Sequence, residues 1–146
     1  MIVSPQSPEA EAAVLGGVLL HPAAYERMDW LRAEMFGCEQ HRVIFSALRD
    51  MYEAGRAIDA LLVAETLIAR GELEKAGGRE YLSTLAANTP SVANVASYAR
   101  RVQTAAMLRE IGAIAQGLAE ETAQHGADPA VIAERAENAF NALVER

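Results

Sequence analysis

The chain has 146 residues, enough for one ordinary domain or a small domain with an appendage. Half of the residues are apolar (51%), only 5% are aromatic and alanine is abundant, a helical composition that argues against a sandwich or a barrel. The formal net charge of −7 disfavours gripping a nucleic-acid backbone as the main task, and the lone Cys38 excludes an internal disulfide framework.

Neither a basic-plus-apolar leader nor a run of eighteen apolar residues is present, which points to the cytoplasm and away from a membrane.

The first element is announced by Ser7-Pro8-Glu9: a capping Ser, Pro at the first helical position, and acids in the positive first turn. The spacing predicts a helix to about Leu20, with Ala12, Leu15, Val18 and Leu19 as a buried stripe. Gly16-Gly17 costs about 1 kcal/mol per glycine relative to alanine, so another helix is expected to cross closely there. His21-Pro22 ends the helix. A short helix over AAYERM and a turn into LRAEMFG follow. Glu39 to Ala54 reads as an amphipathic helix stopped by Gly55, with Val43/Ile44, Ala47/Leu48 and Met51/Tyr52 on its apolar face. Asp59 caps the next helix, ALLVAETLIAR, which Gly71 ends. Glu72 to Ala76 reads as one helical turn, and Gly77-Gly78 opens REYLSTLAAN, closed by Asn88-Thr89-Pro90. LLVA is the best strand candidate, and its Asp cap and Gly stop favour helix instead.

From Ser91 to Gln124 apolar residues recur at threes and fours, from Val92 and Val95 through Val102, Ala105/Ala106, Ile111 and Ile114 to Leu118. One long helix of roughly 50 Å is expected. A compact chain of this length is only about 40 Å across, so such a helix must project or lie against another molecule. Gly126 can end it, Asp128 caps a return helix, and Pro129 sits in that helix's first turn. The expected architecture is all-α: a small multi-helix globular head over 1–90, then a long antiparallel helical hairpin over 91–146.

Catalytic chemistry is sparse. Neither a G-x-x-x-x-G-K-[ST] phosphate loop nor a G-x-G-x-x-G after a strand occurs, so no catalytic residue, cofactor or metal is assigned to this chain. Cys38-x-x-His41 outlines half a zinc site, but no second pair completes it; a buried Cys and a helix-surface His is the expected reading. His21, His41 and His125 are separated along the chain and carry no obvious Ser–His–Asp arrangement. Glu120-Glu121 and Glu134/Glu137 read as a solvated face, because from Thr104 onward three arginines stand against seven acids.

What remains is interaction chemistry. Gly112, Ala113, Ala115, Gly117 and Ala119 put small residues along the long helix, suited to close helix approach. They serve either the return helix alone, through Ile132, Ala136, Ala139/Phe140 and Leu143, or a hairpin of a second subunit as well. Met107, Leu108 and Ile111 cannot all face one helix, and a two-helix unit buries little surface by itself, which favours self-association.

Several segments, in order, resemble one family: Pro5-Gln6-Ser7-Pro8-Glu9-Ala10-Glu11 with Val14-Leu15-Gly16-Gly17; His41-Arg42-Val43-Ile44-Phe45; Ile58-Asp59; Gly77-Gly78 with Tyr81-Leu82; and Asn88-Thr89-Pro90-Ser91 with Asn94 and Tyr98-Ala99. The set resembles the N-terminal domain of the bacterial replicative DNA helicase, the DnaB family, over nearly the whole chain.

The resemblance implies a six-helix-like head followed by a helical hairpin. It implies homo-oligomerisation as a trimer of dimers, with hairpins pairing between subunits in a collar on a ring of RecA-like motors. It also implies docking of the C-terminal domain of DNA primase and, in some members, a helicase loader. Residue by residue, Glu9 and Tyr81 match positions near the primase-facing surface. Met107, Leu108, Ile111, Ile114, Leu118, Phe140 and Leu143 are the candidates for hairpin pairing. The motor, with its ATP and Mg sites and DNA-binding loops, has no counterpart here, so the expectation is an excised domain or a truncated relative. ATP-driven unwinding and DNA contact belong to that missing part. A stand-alone helical regulator that caps a helicase ring, and a small enzyme with an unrecognised site, are the rival readings.

Overall fold

The computed structural model describes residues 5–145. All of its regular elements are helical: α1 (Pro8–Leu20), α2 (Glu39–Glu53), α3 (Ala60–Ala69), α4 (Gly78–Ala87), α5 (Val95–Thr122) and α6 (Pro129–Val144), with short 3₁₀ segments at Pro22–Met28, Ala33–Met35 and Val92–Asn94. No strand occurs among the described residues, and none of their helices is long and apolar enough to cross a membrane. The chain forms two compact units, one over Gln6–Ala105 and a second from Ala106 onward. The division falls inside α5 because Val95, Ala99 and Val102 are buried with the core of the first unit.

In the first unit α1 is the centre. The expected stripe understates it: every residue from Ala13 to Leu19 is buried, as are Ala10 and Glu11, while Ala12 is only half-buried. A helix enclosed on nearly all sides has no polar face, so its burial extends well beyond one stripe. Ser7 holds the cap position, but its side chain accepts no hydrogen bond; its carbonyl receives the Glu11 N–H at 2.9 Å instead.

The two glycines do allow close crossings. A Cβ on Gly16 would lie 1.9 Å from Thr89 Oγ1 and 2.4 Å from the Leu85 carbonyl oxygen at the end of α4. On Gly17 it would lie 2.9 Å from Val95 Cγ2 at the start of α5. Phe36 and Phe45 pack with ring centroids 4.8 Å apart, and Tyr25 lies 4.7 Å from Tyr52, filling the other side of the core. Asp59 Oδ1 accepts the Leu62 N–H at 2.8 Å, so the predicted α3 cap is made.

Two local expectations hold and one needs correction. The short helix over AAYERM is present as a 3₁₀ segment. The Ala76 N–H donates to the Glu72 carbonyl at 3.1 Å, closing the single helical turn expected there. The long helix, by contrast, begins at Val95, after a 3₁₀ turn that absorbs Val92–Asn94. The chain path after Pro90 must first bring Val95 against Gly17, and that change of direction breaks the continuous helix expected from Ser91.

In the second unit the rest of α5 runs antiparallel to α6 through a turn with Gly126 at φ 80°. Asp128 Oδ1 accepts the Ala130 N–H at 3.0 Å, and Arg135 pairs with Glu121 at 3.3 Å. An open groove lined by Glu110, Ala113, Ile114, Ala139, Ala142 and Leu143 lies between the two helices.

Candidate functional site

One polar chain of side chains crosses the core of the first unit. Glu11, in the first turn of α1, is fully buried. Its Oε2 accepts the Gly37 N–H at 2.8 Å, and its Oε1 accepts the Cys38 N–H at 3.3 Å and faces His41 Nδ1 at 2.8 Å. The other imidazole nitrogen, Nε2, lies 2.5 Å from the hydroxyl of Tyr81 on α4. Arg42 fixes the segment that supplies the two backbone donors, since its Nη1 donates to the carbonyls of Phe36 (2.9 Å) and Gly37 (3.1 Å). Gly77, at φ 95°, sets where α4 begins: a Cβ there would lie 2.9 Å from both Gln40 Nε2 and Tyr81 Cβ.

Burial alone would raise the Glu11 pKa. The hydrogen bonds from His41, Gly37 and Cys38, with the charge of His41, outweigh it, and the net shift is downward. Glu11 is therefore a carboxylate at neutral pH, and it can only accept. The proton between it and the imidazole sits on His41 Nδ1. In the neutral ring Nε2 is then an acceptor, and the Tyr81 hydroxyl donates to it. Burial pushes the Tyr81 pKa up, helped by Cys38 and Glu11 nearby, so the phenol keeps its proton. Carboxylate, imidazole and hydroxyl in a row have the order of a nucleophilic relay, but a phenol held in its neutral form is not an activated nucleophile.

The expected roles of Cys38 and His41 are exchanged. His41 is buried at 4% exposure and Cys38 is only partly so. Helical spacing places His41 on the face of α2 that meets α1, and Glu11 makes that face habitable for an imidazole. Glu11, Cys38 and His41 present donor atoms within 4.8 Å of one another. The carboxylate in that cluster is already held by two backbone N–H groups and an imidazole N–H. Glu11 is the site residue that sequence reasoning missed.

Tyr81 is half-buried, and its surface side lines a groove of about 320 Å³ between α1 and α4, with Glu9, Ala12, Ala13, Thr84, Leu85, Asn88 and Pro90. Glu9 and Tyr81, seventy-two positions apart in the chain, thus share one concave surface whose floor is mainly apolar.

The hairpin candidates divide. Met107, Leu108, Ile111 and Phe140 are exposed, Ile114 and Leu118 are half-covered, and Leu143 is buried. Gly112 and Gly117 have open space where a Cβ would be, so α6 does not use them for close approach.

A family model described as the DnaB-like helicase N-terminal domain matches residues 3–104. The replicative DNA helicase DnaB of Pasteurella multocida is 41% identical over 120 residues, covering 82% of this chain and 26% of that protein. The Haemophilus influenzae helicase is 33% identical over 146 residues, covering 99% of this chain and 31% of that protein. This chain therefore spans about a quarter to a third of the length of these two relatives.

Among solved structures, the N-terminal domain of the DnaB helicase from Mycobacterium tuberculosis superposes with a TM-score of 0.89 at 34% identity, covering 95% of this chain and 99% of that one. A DnaB-like replicative helicase, solved to show its interactions with primase, superposes with a TM-score of 0.77 at 26% identity, covering 93% of this chain and 31% of that one. With an all-helical fold and a family match over most of its length, the chain belongs to the DnaB-like helicase N-terminal domain family.

Proposed function

We propose that this chain is a non-catalytic collar module of a replicative DNA helicase, which self-associates and docks DNA primase. The observation that carries the docking reading is the groove between α1 and α4, which gathers Glu9, Tyr81 and an apolar floor on one accessible face. A concave apolar surface with a few polar groups at its edge suits a partner segment. A solved relative's interactions with primase support primase as that partner.

Self-association rests on a second surface. Met107, Leu108, Ile111 and Phe140 leave apolar side chains exposed on a two-helix unit that buries little of its own surface. Within the parent protein, ATP hydrolysis, Mg binding and DNA contact belong to the motor, and a helicase loader would engage the assembled protein.

Calorimetric titration of this chain with the C-terminal domain of the same organism's primase, at two salt concentrations, tests the docking. Saturable binding that weakens with salt is expected, because Glu9 contributes a rim charge. Absence of heat from a chain shown folded by circular dichroism would remove primase docking from this domain.

A further inference from the structure

The docking reading leaves open what the groove demands of its occupant, and the buried relay supplies an answer. With the Nδ1 proton committed to the Glu11 carboxylate, Nε2 of the neutral His41 ring accepts the Tyr81 hydroxyl proton. A hydroxyl whose proton is committed can offer a newcomer only its oxygen lone pairs. Glu9, across the same groove, is also an acceptor. The polar end of the groove is therefore built to receive donors, while Ala12, Ala13, Leu85 and Pro90 offer only apolar contact.

Resting on that docking reading, we propose that Glu11 and His41 are positioning residues that hold Tyr81 as a hydrogen-bond acceptor in the α1–α4 groove, and that the docking primase segment must therefore bring a basic side chain to Tyr81 and Glu9 alongside its apolar residues. Two observations bear on this. The imidazole is locked from behind, because Glu11 is itself fixed by the Gly37 and Cys38 N–H groups and cannot rotate away without leaving them unpaired. The His41 and Tyr81 rings stack at 18°, which limits how the phenol can turn.

The test is a calorimetric comparison of primase C-terminal domain binding to this chain and three variants, each checked for fold by circular dichroism. Thr84→Arg puts bulk and positive charge on an exposed groove position, and abolished binding is expected. Tyr81→Phe removes only the acceptor. Affinity should fall about tenfold, as for loss of a hydrogen bond to a charged group. In a Tyr81→Phe background one Lys→Ala or Arg→Ala change in the primase domain should lose most of its effect.

His41→Asn keeps an N–H for Glu11 but gives up the reach to Tyr81, and several-fold weaker binding is expected. In His41→Asn, too, the same Lys→Ala or Arg→Ala change in the primase domain should lose part of its effect, a coupling that a merely structural relay would not produce. If Thr84→Arg abolishes binding while Tyr81→Phe keeps wild-type affinity, the acceptor role is wrong and docking stands. If the wild type does not bind, or Thr84→Arg binds as well as wild type, the docking reading falls and this inference falls with it.

Discussion

The two units of this chain bury apolar residues to very different degrees. In the first, Val14, Leu15, Phe36, Phe45 and Leu48 are wholly enclosed, and even a glutamate and a histidine are taken inside with full hydrogen bonding. In the second, Ala106 and Leu143 are the buried apolar residues among those described, while Leu108 is 50% exposed and Ile111 41%. A side chain gains about 1.5–3 kcal/mol when it leaves water completely. The first unit collects that gain many times over and the second hardly at all. One has an enclosed core; the other leaves most of its large apolar side chains at least partly in water.

The sharpest way to break that contrast is a pair of leucines. Leu48→Ala should cost about 2–5 kcal/mol, because it empties a closed core position. Leu108→Ala should cost no more than about 0.5 kcal/mol in dilute protein. Denaturant melts of both variants read the difference directly, and equal losses would mean that the second unit has a core of its own.

Next in size is Glu11→Gln. It removes the charge from a buried carboxylate held by three donors, and about 2–3 kcal/mol should be lost at neutral pH. The pH dependence has a definite sign. The folded Glu11 carboxyl has a lowered pKa, so it binds its proton less tightly than in the unfolded chain. Its stabilisation is fully present above the ordinary glutamate range and is lost as pH falls through the folded value, so stability rises with pH across that window. The variant should show a shallower acid limb in a series of thermal melts.

Gly16→Ala follows. The new methyl would meet Thr89 Oγ1 and the Leu85 carbonyl at distances no atom pair tolerates, so α1 and α4 must separate. A net loss of about 1–3 kcal/mol is expected despite the better helix propensity of alanine. The smallest change in stability belongs to Leu108→Glu combined with Ile111→Glu. The melting temperature of the chain should move by only about 2 °C, while light scattering should show lower mass at high concentration. Unchanged mass with a collapsed melting temperature would make those residues intramolecular core.

Much of this fold is readable from the chain because its signals are local. Asp59 and Asp128 cap the helices they precede. Gly55, Gly71 and Gly126 stop or turn the chain at positive φ, and Gly16-Gly17 marks the crossings that α4 and α5 make. The site is less readable. Glu11 has a sufficient local explanation as an acid early in a helix, and nothing nearby in sequence hints that its partners lie 26 to 30 positions on. His41 is obscured by its spacing from Cys38, which suggests a metal half-site rather than a bond to α1. Glu9 and Tyr81 enter through family resemblance, since pairing them needs the packing of α1 on α4. Exposure in the second unit lies beyond the pattern too, because a periodicity of threes and fours reports an apolar face but not what covers it.

The central position of α1 also has a consequence for synthesis. Among the helices of the first unit α1 is made before those that pack on it, and its Glu11 finds His41 only after α2 is made and its link to Tyr81 only after α4. At roughly 5–20 residues per second, several seconds separate the emergence of Leu20 from that of Ala87. During that interval the face of α1 that Leu85 and Thr89 will cover, including Gly16, has no partner on the nascent chain.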